Sequence, residues 1–463
     1  MTERLHGFPF WLLEFDKDGH PTDAGATDRL VDGVNEESIT DLFIFSHGWN
    51  NDREAATSLY DRFFGEMNDV LQDPRFSKKK PSARIGVAGV IWPSILWPDD
   101  AASASMSTVA AGTAGGGAVG LLDAPPPAAA QASPQEINTE LRKAYEDTHQ
   151  QSLVDDLTAM LEAQPGTEAA LNQFQAKLAE LLESEPADAP IDRKRPDYAE
   201  SAIGGLSEAR WRELLDVLGD EAASREGAAG GAVGLGDPFK KLWAGAKSAL
   251  RIATYWQMKQ RAGIVGRKGL GGLVLTRLAR DASQTRLHLL GHSFGARLVS
   301  FSLSGLPQTA IREKSPVKSL FLLQGAFSHY AFADRLPHDA SRSGGLKGMA
   351  DRVDGPLLTT HSLKDLAVGV SYPAASFVNQ DDAAAAADQS SRWGAMGYDG
   401  AQAVDAATET LAAPGKKYPI QKGKWLNLDG NKVIIHGGLP SGAHSDIVSP
   451  HTAWAALAGA EIV

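Results

Sequence analysis

RLHLLGHSFGARLVSF, residues 286–301, changes character in its middle. Leu287–Leu290 is a short apolar run of the kind that fills a buried strand. Ala296–Ser302 has the apolar spacing of a helix. Between them lies Gly291-His292-Ser293-Phe294-Gly295, a G-x-S-x-G pattern. Five residues with three fixed positions say little alone, but a strand before and a helix after give the context the pattern needs. A strand-to-helix turn this tight holds the serine in a strained conformation. Its neighbours two residues away must be glycine to avoid collisions. The hydroxyl is exposed at the carboxyl end of the sheet, and the helix N-terminus brings backbone N–H groups and a positive dipole end near it. The plainer alternative is a glycine-flanked turn in a non-catalytic α/β protein.

Working outward, TDLFIFSHGWNND (residues 40–52) and ARIGVAGVIWPS (residues 83–94) each open with a buried-strand run and break into a polar loop. Leu59, Phe63, Met67 and Val70 repeat at helical spacing between them, so strand, helix and strand follow in the order of a parallel sheet. VKSLFLLQGAF (317–327) and GPLLTTHSLKD (355–365) read as further buried strands, and WLNLDGNKVII (425–435) as a hairpin around Asp429-Gly430. DDAAAAADQSS (381–391) reads as a loop, and a last helix is expected to begin near Pro450 and include Trp454. Residues 101–237 differ: small-residue and proline-rich stretches flank helical patterns carried by Leu153, Leu157 and Leu161, then by Leu171, Phe174 and Leu178, with a third helix from Ser207. The expected fold is a three-layer α/β sandwich with a mostly parallel sheet. Residues 1–100 and 238–463 would form its two parts, and 101–237 a helical cap or lid inserted between them.

Composition narrows the function. Against 45 basic residues stand 57 acidic ones, a net charge of −12 that disfavours nucleic-acid phosphates. The 463 residues include no cysteine, which excludes disulfides, thiolate metal sites and a cysteine nucleophile. The N-terminus lacks the pattern of a signal peptide and no run of apolar residues reaches membrane-spanning length, so a cytoplasmic location is expected, with signal-less secretion left open. There is no HExxH and no His/Asp cluster at ligand spacing, and GRKGLGG (266–272) does not follow a clear strand as a phosphate loop would. No metal or cofactor is expected.

GHSFGAR, with HGWN upstream and GAHSDI near the end, resembles the α/β-hydrolase superfamily, in particular its bacterial serine esterase and lipase-like members. The resemblance covers about residues 35–100 and 240–463; the insertion has no counterpart in it. It implies Ser293 as nucleophile. It implies oxyanion donors from the N–H of Phe294 and from Gly48 or Trp49, in the loop after the first of these strands. It places the triad in the chain order Ser, Asp or Glu, His. His444, between the last strands and the last helix, is then the base, ahead of His436. Asp365, after the strand of residues 357–360, is the acid, with Asp334 and Asp354 behind it; the alternative for Asp365 is a helix cap. Asp52 and Asp446 are expected as helix caps. His47, His292, Trp92 and Trp97 are expected beside the substrate, the two tryptophans as an apolar wall, although ordinary loop packing explains the tryptophans equally and turn packing is the alternative for His47. The basic amphipathic segment 239–261 suits either a membrane surface or a helix packed on the sheet. The function expected is hydrolysis of a small-molecule or lipid ester. The alternatives are a membrane-acting lipase and a non-catalytic binding scaffold. The sequence does not give the oligomeric state.

Overall fold

A computed structural model describes residues 3–76, 83–94, 97, 132–145, 147–183, 206–228, 238–368, 394–437 and 441–463. Nine strands form one sheet: β1 (Glu3–Leu5), β2 (Phe8–Glu14), β3 (Asp41–Ser46), β4 (Ile85–Ile91), β5 (Arg286–His292), β6 (Val317–Leu323), β7 (Leu357–His361), β8 (Ala406–Thr410) and β9 (Trp425–Asp429). Their order is β1-β2-β4-β3-β5-β6-β7-β9-β8. Only the β1–β2 pair is antiparallel; every other pair is parallel.

Central parallel strands are covered on both faces, which is why β3, β4 and β5 read as continuous apolar runs without alternation. In β3, Leu42, Phe43, Ile44 and Phe45 are all 0% exposed. At about 1.5–3 kcal/mol per buried side chain, this one strand contributes roughly 6–12 kcal/mol of burial before chain entropy is considered. Successive side chains go to opposite faces. Leu42 and Ile44 join a core with helices α1 (Ala26–Glu36) and α9 (Phe294–Gly305). Phe43 and Phe45 join a second core with α2 (Arg53–Gln72) and α10 (Pro450–Gly459). The protein is therefore a mixed α/β fold with a largely parallel sheet covered by helices on both faces.

Among the described residues, four further helices precede β5 on the first face: α3 (Pro134–Ala144), α4 (Thr148–Ala163), α5 (Glu168–Glu183) and α6 (Glu208–Ala228), followed by the long α7 (Pro238–Ile264). Trp211 in α6 donates its indole N–H to Leu171 O at 3.0 Å, and Trp243 in α7 donates to Pro165 O at 3.1 Å. Leu242, Trp243, Ala246 and Leu250, the apolar stripe of the basic segment, are buried against these helices. No described helix is long and apolar enough to cross a membrane. Residues 265–275 continue α7 as a π-wound stretch leading into α8 (Thr276–Asp281). Here GRKGLGG has a packing role: a Cβ on Gly266 or Gly271 would run into the α9 backbone at Leu298 and Ser302.

One expectation changes, and two strands come in addition. The run after Asp429 is no hairpin arm. Val433 and Ile434 both donate to Gly430 O, at 2.9 and 2.8 Å, closing a turn, and β9 pairs in parallel with β7 and β8 instead. β8 itself was not anticipated, because an exposed edge strand of sequence AATET carries almost no apolar signal. β2, built on the apolar stretch Phe8–Leu13, lies beside β4. The loop expected at 381–391 and the low-complexity stretch before residue 132 lie outside the described residues.

Candidate active site

β5 delivers Ser293 to the carboxyl edge of the sheet, and α9 starts at the next residue. Ser293 sits at φ 57° and ψ −120°. A side-chain-bearing residue pays about 1–3 kcal/mol for such a conformation, so the surroundings must enforce it. They do so through the backbone. Ser293 N–H donates to Leu323 O at 3.1 Å, and Ser293 O accepts from Ala296 and Ala326 N–H at 3.1 and 3.2 Å. The flanking glycines are sterically required. A Cβ on Gly291 would strike the backbone of Gly295 and Ala296, and one on Gly295 would strike the carbonyls of Ser46 and His47.

The three residues expected as a triad converge. Ser293 Oγ lies 2.7 Å from His444 Nε2, and His444 Nδ1 lies 2.7 Å from Asp365 Oδ2. A carboxylate only accepts, so Nδ1 carries the proton, and Nε2 is left to accept from the serine hydroxyl. Asp365 is fully buried just past β7. Its Oδ2 also accepts from Gln324 Nε2 at 2.8 Å, and its Oδ1 from Val368 N–H at 3.2 Å. It therefore caps the local turn and faces His444 at once. The loops that carry Asp365 and His444 are joined directly: Asp365 forms an isolated bridge with Gly442, and Ala443 N–H donates to Lys364 O at 2.9 Å. Gly442, at φ +57°, permits this approach because its missing Cβ would meet the Lys364 carbonyl.

Asp446 does not cap the last helix. Its Oδ2 accepts from the N–H groups of Ile435 and His436, at 2.9 and 2.8 Å, and so braces the base loop. The cap is Ser449, in a reciprocal box with Thr452. Asp354, a runner-up acid, is engaged by Lys318 at 2.6 Å. Asp52 caps α2 as expected, accepting from Ala55 N–H at 2.8 Å.

The loop after β3 is fixed from its carbonyl side. Trp92 donates its indole N–H to His47 O at 2.9 Å, and His47 Nδ1 donates to Gly48 O at 2.8 Å. Asn51 donates to Trp49 O at 2.9 Å. His47 N–H is taken by Tyr60 Oη at 3.0 Å. With the carbonyls held back, the N–H groups of Gly48 and Trp49 meet no acceptor among the described residues. Phe294 N–H lies in the first turn of α9, where no intrahelical acceptor exists. Gly48 packs directly on the serine: a Cβ there would sit 2.6 Å from Ser293 Cβ. The Trp49 ring sits edge-on to Tyr255 of α7, their centroids 5.5 Å apart, and beside Phe294.

Two histidines here are neutral. Burial pushes His47 down to about 4, and its Nε2 accepts from Trp92 N–H at 3.3 Å, which requires that nitrogen to be bare. Burial, then the neighbouring His444, push His292 down to about 3. His292, expected beside the substrate, donates from Nε2 to the carbonyl of His444 at 2.9 Å and so holds the base loop. Trp92 and Trp97, expected as pocket walls, are 1% and 0% exposed. Trp92 stacks on His47 with ring centroids 5.5 Å apart, and Trp97 donates its N–H to the Asn50 side chain.

Comparison with protein-family models, curated proteins and solved structures gave no match. The chemistry of the site therefore rests on its geometry. Against the expectation of no His/Asp cluster at ligand spacing, Asp16, Asp18 and His20 bring ligand-type atoms within 4.8 Å of one another after β2. Asp16 Oδ1 is engaged by the N–H groups of Asp18 and His20, at 2.9 and 2.8 Å, so the group also serves to close a turn. Gln324 and Tyr60 escaped the sequence reading too. The only sign of Gln324 was a polar residue ending the apolar run of β6, and Tyr60 looked like one more apolar position of α2.

Proposed function

We propose that the protein is a serine hydrolase of the α/β-hydrolase type that cleaves a carboxylic ester through an acyl-enzyme. The observation that carries this is the unbroken relay from Ser293 Oγ through both nitrogens of His444 to Asp365, each link 2.7 Å. The chain order of serine, acid and histidine, and a serine on a tight strand-to-helix turn, support the same reading.

In this mechanism Ser293 Oγ attacks the ester carbonyl carbon while His444 Nε2 takes the hydroxyl proton. Asp365 keeps the imidazole oriented and stabilises the imidazolium. The developing oxyanion is met by the N–H of Phe294 and by that of Gly48 or Trp49. Such a donor is worth about 3 kcal/mol because it is in place before the charge appears. The tetrahedral adduct then breaks its bond to the alkoxy oxygen, which leaves with the proton from His444. Water, deprotonated by the same nitrogen, attacks the acyl-enzyme, and the second adduct releases the carboxylic acid as His444 returns the proton to Ser293 Oγ. The covered apolar stripe of α7 favours a dissolved ester over one drawn from a membrane surface.

A series of p-nitrophenyl esters of increasing acyl length tests the proposal. Wild type is expected to turn over at least one member, and Ser293→Ala none above background. Equal rates for the two proteins would refute it.

A further inference from the structure

Gln324 lies between Asp365 and the backbone that holds Ser293. It follows β6 directly, is fully buried, and has a left-handed backbone at φ 48°. A glutamine takes that conformation only where its surroundings enforce it. Its own N–H donates to Thr360 Oγ1 of β7 at 3.1 Å. Its side-chain nitrogen donates both hydrogens, one to Asp365 Oδ2 at 2.8 Å and one to Gly397 O at 2.9 Å. Both partners only accept, so the amide orientation is decided: the flipped form would set an oxygen against a carboxylate and a carbonyl.

The same short segment grips Ser293. Leu323 O receives the serine N–H, and Ala326 N–H donates to the serine O. Four consecutive residues, 323–326, therefore hold the nucleophile by its backbone and the acid by its carboxylate. Gly325 O also accepts from Gly397 N–H at 2.9 Å, which ties the segment to the strand of chain that Gln324 reaches with its second hydrogen. We infer that Gln324 is a positioning residue: it fixes the distance between Asp365 and Ser293 and aims Asp365 Oδ2 at His444.

The inference rests on the serine-hydrolase reading for its consequence and on the contacts above for its geometry. Replacing the amide with an apolar side chain takes one donor from Asp365 Oδ2 and lets the acid turn from His444; a carboxylate there repels it outright, because two carboxylates only accept.

The test is the downfield proton NMR signal of His444 Nδ1–H in the full chain, which depends on a carboxylate facing that nitrogen. It compares wild type, Gln324→Met and Gln324→Glu, with the signal identified by its loss in His444→Gln. The signal is expected in wild type and is expected to be lost or moved upfield in both variants. Labelling of Ser293 by a fluorophosphonate is expected to fall about 10- to 100-fold in Gln324→Met. An unchanged signal in either folded variant would overturn the role of Gln324. If one variant fails to fold, the other decides. A changed signal in a protein whose Ser293 never labels would keep Gln324 as the orienting residue and defeat the hydrolase reading alone.

Discussion

Gly48→Ala separates a fault in geometry from a fault in chemistry, because every triad atom remains. The added Cβ would lie 2.6 Å from Ser293 Cβ, 3.1 Å from Ser293 Oγ and 3.2 Å from His292 O. Carbon atoms in ordinary contact sit about 3.5–4.0 Å apart, so the two must separate by about 1 Å. Neither side yields easily. Gly48 is tied through His47 to Tyr60 and Trp92, and the Ser293 backbone is held by Leu323 and Ala326. Overpacking of this kind costs about 1–3 kcal/mol of stability, which leaves the fold intact. A 1 Å displacement of a reacting atom can cost about 100-fold in rate. The assay is the second-order rate of fluorophosphonate labelling at Ser293, beside a thermal melt. The control is Gly166→Ala, where an added Cβ meets nothing within 4 Å. Labelling about 100-fold slower in folded Gly48→Ala, with the control unchanged, is expected. Labelling of Gly48→Ala at the wild-type rate would refute the packing argument.

Two further outcomes follow from the same contacts. Asp365→Asn replaces an acceptor with an amide that favours the wrong tautomer of His444, and labelling of Ser293 is expected to fall about 10³- to 10⁴-fold without loss of fold; a fall under tenfold would count against Asp365 as the acid. For stability against pH, His47 and His292 are held at about 4 and about 3 when folded and return toward 6.5 when unfolded. Below pH 6.5 the unfolded chain binds more protons, so stability is lost as pH falls from about 6.5 toward 4 and is unaffected by these groups above it. Each contributes a slope of up to about 1.4 kcal/mol per pH unit. Urea unfolding across that range is expected to show a shallower slope in His47→Gln, and an unaltered slope would contradict a neutral buried His47.

The sequence made the residues that converge at the site more legible than the edges of the sheet. Ser293, His444 and Asp365 could be chosen because the elbow pattern is local and the order along the chain limits the partners. The parallel centre was readable from β3, β5 and β6, whose burial on both faces leaves unbroken apolar runs. The edges were not: β8 is mostly exposed and carries no pattern, while the Asp429-Gly430 signal belongs to a turn that ends β9 without returning. Gln324, and the Trp92–His47 clamp, depend on contacts between residues 41 and 45 positions apart, which no local pattern encodes. His292 shows the same limit. Its place beside Ser293 was plain, but its bond to the carbonyl of His444, 152 residues away, appears only in the fold.

The central claim is that Ser293 is an activated nucleophile. Its most direct test is incubation of the full chain with a fluorophosphonate probe, followed by mass spectrometry of the peptides. The account predicts one adduct per chain, on Ser293, absent from Ser293→Ala and His444→Ala. Folded wild type that takes up no probe, or takes it up on another residue, would contradict it.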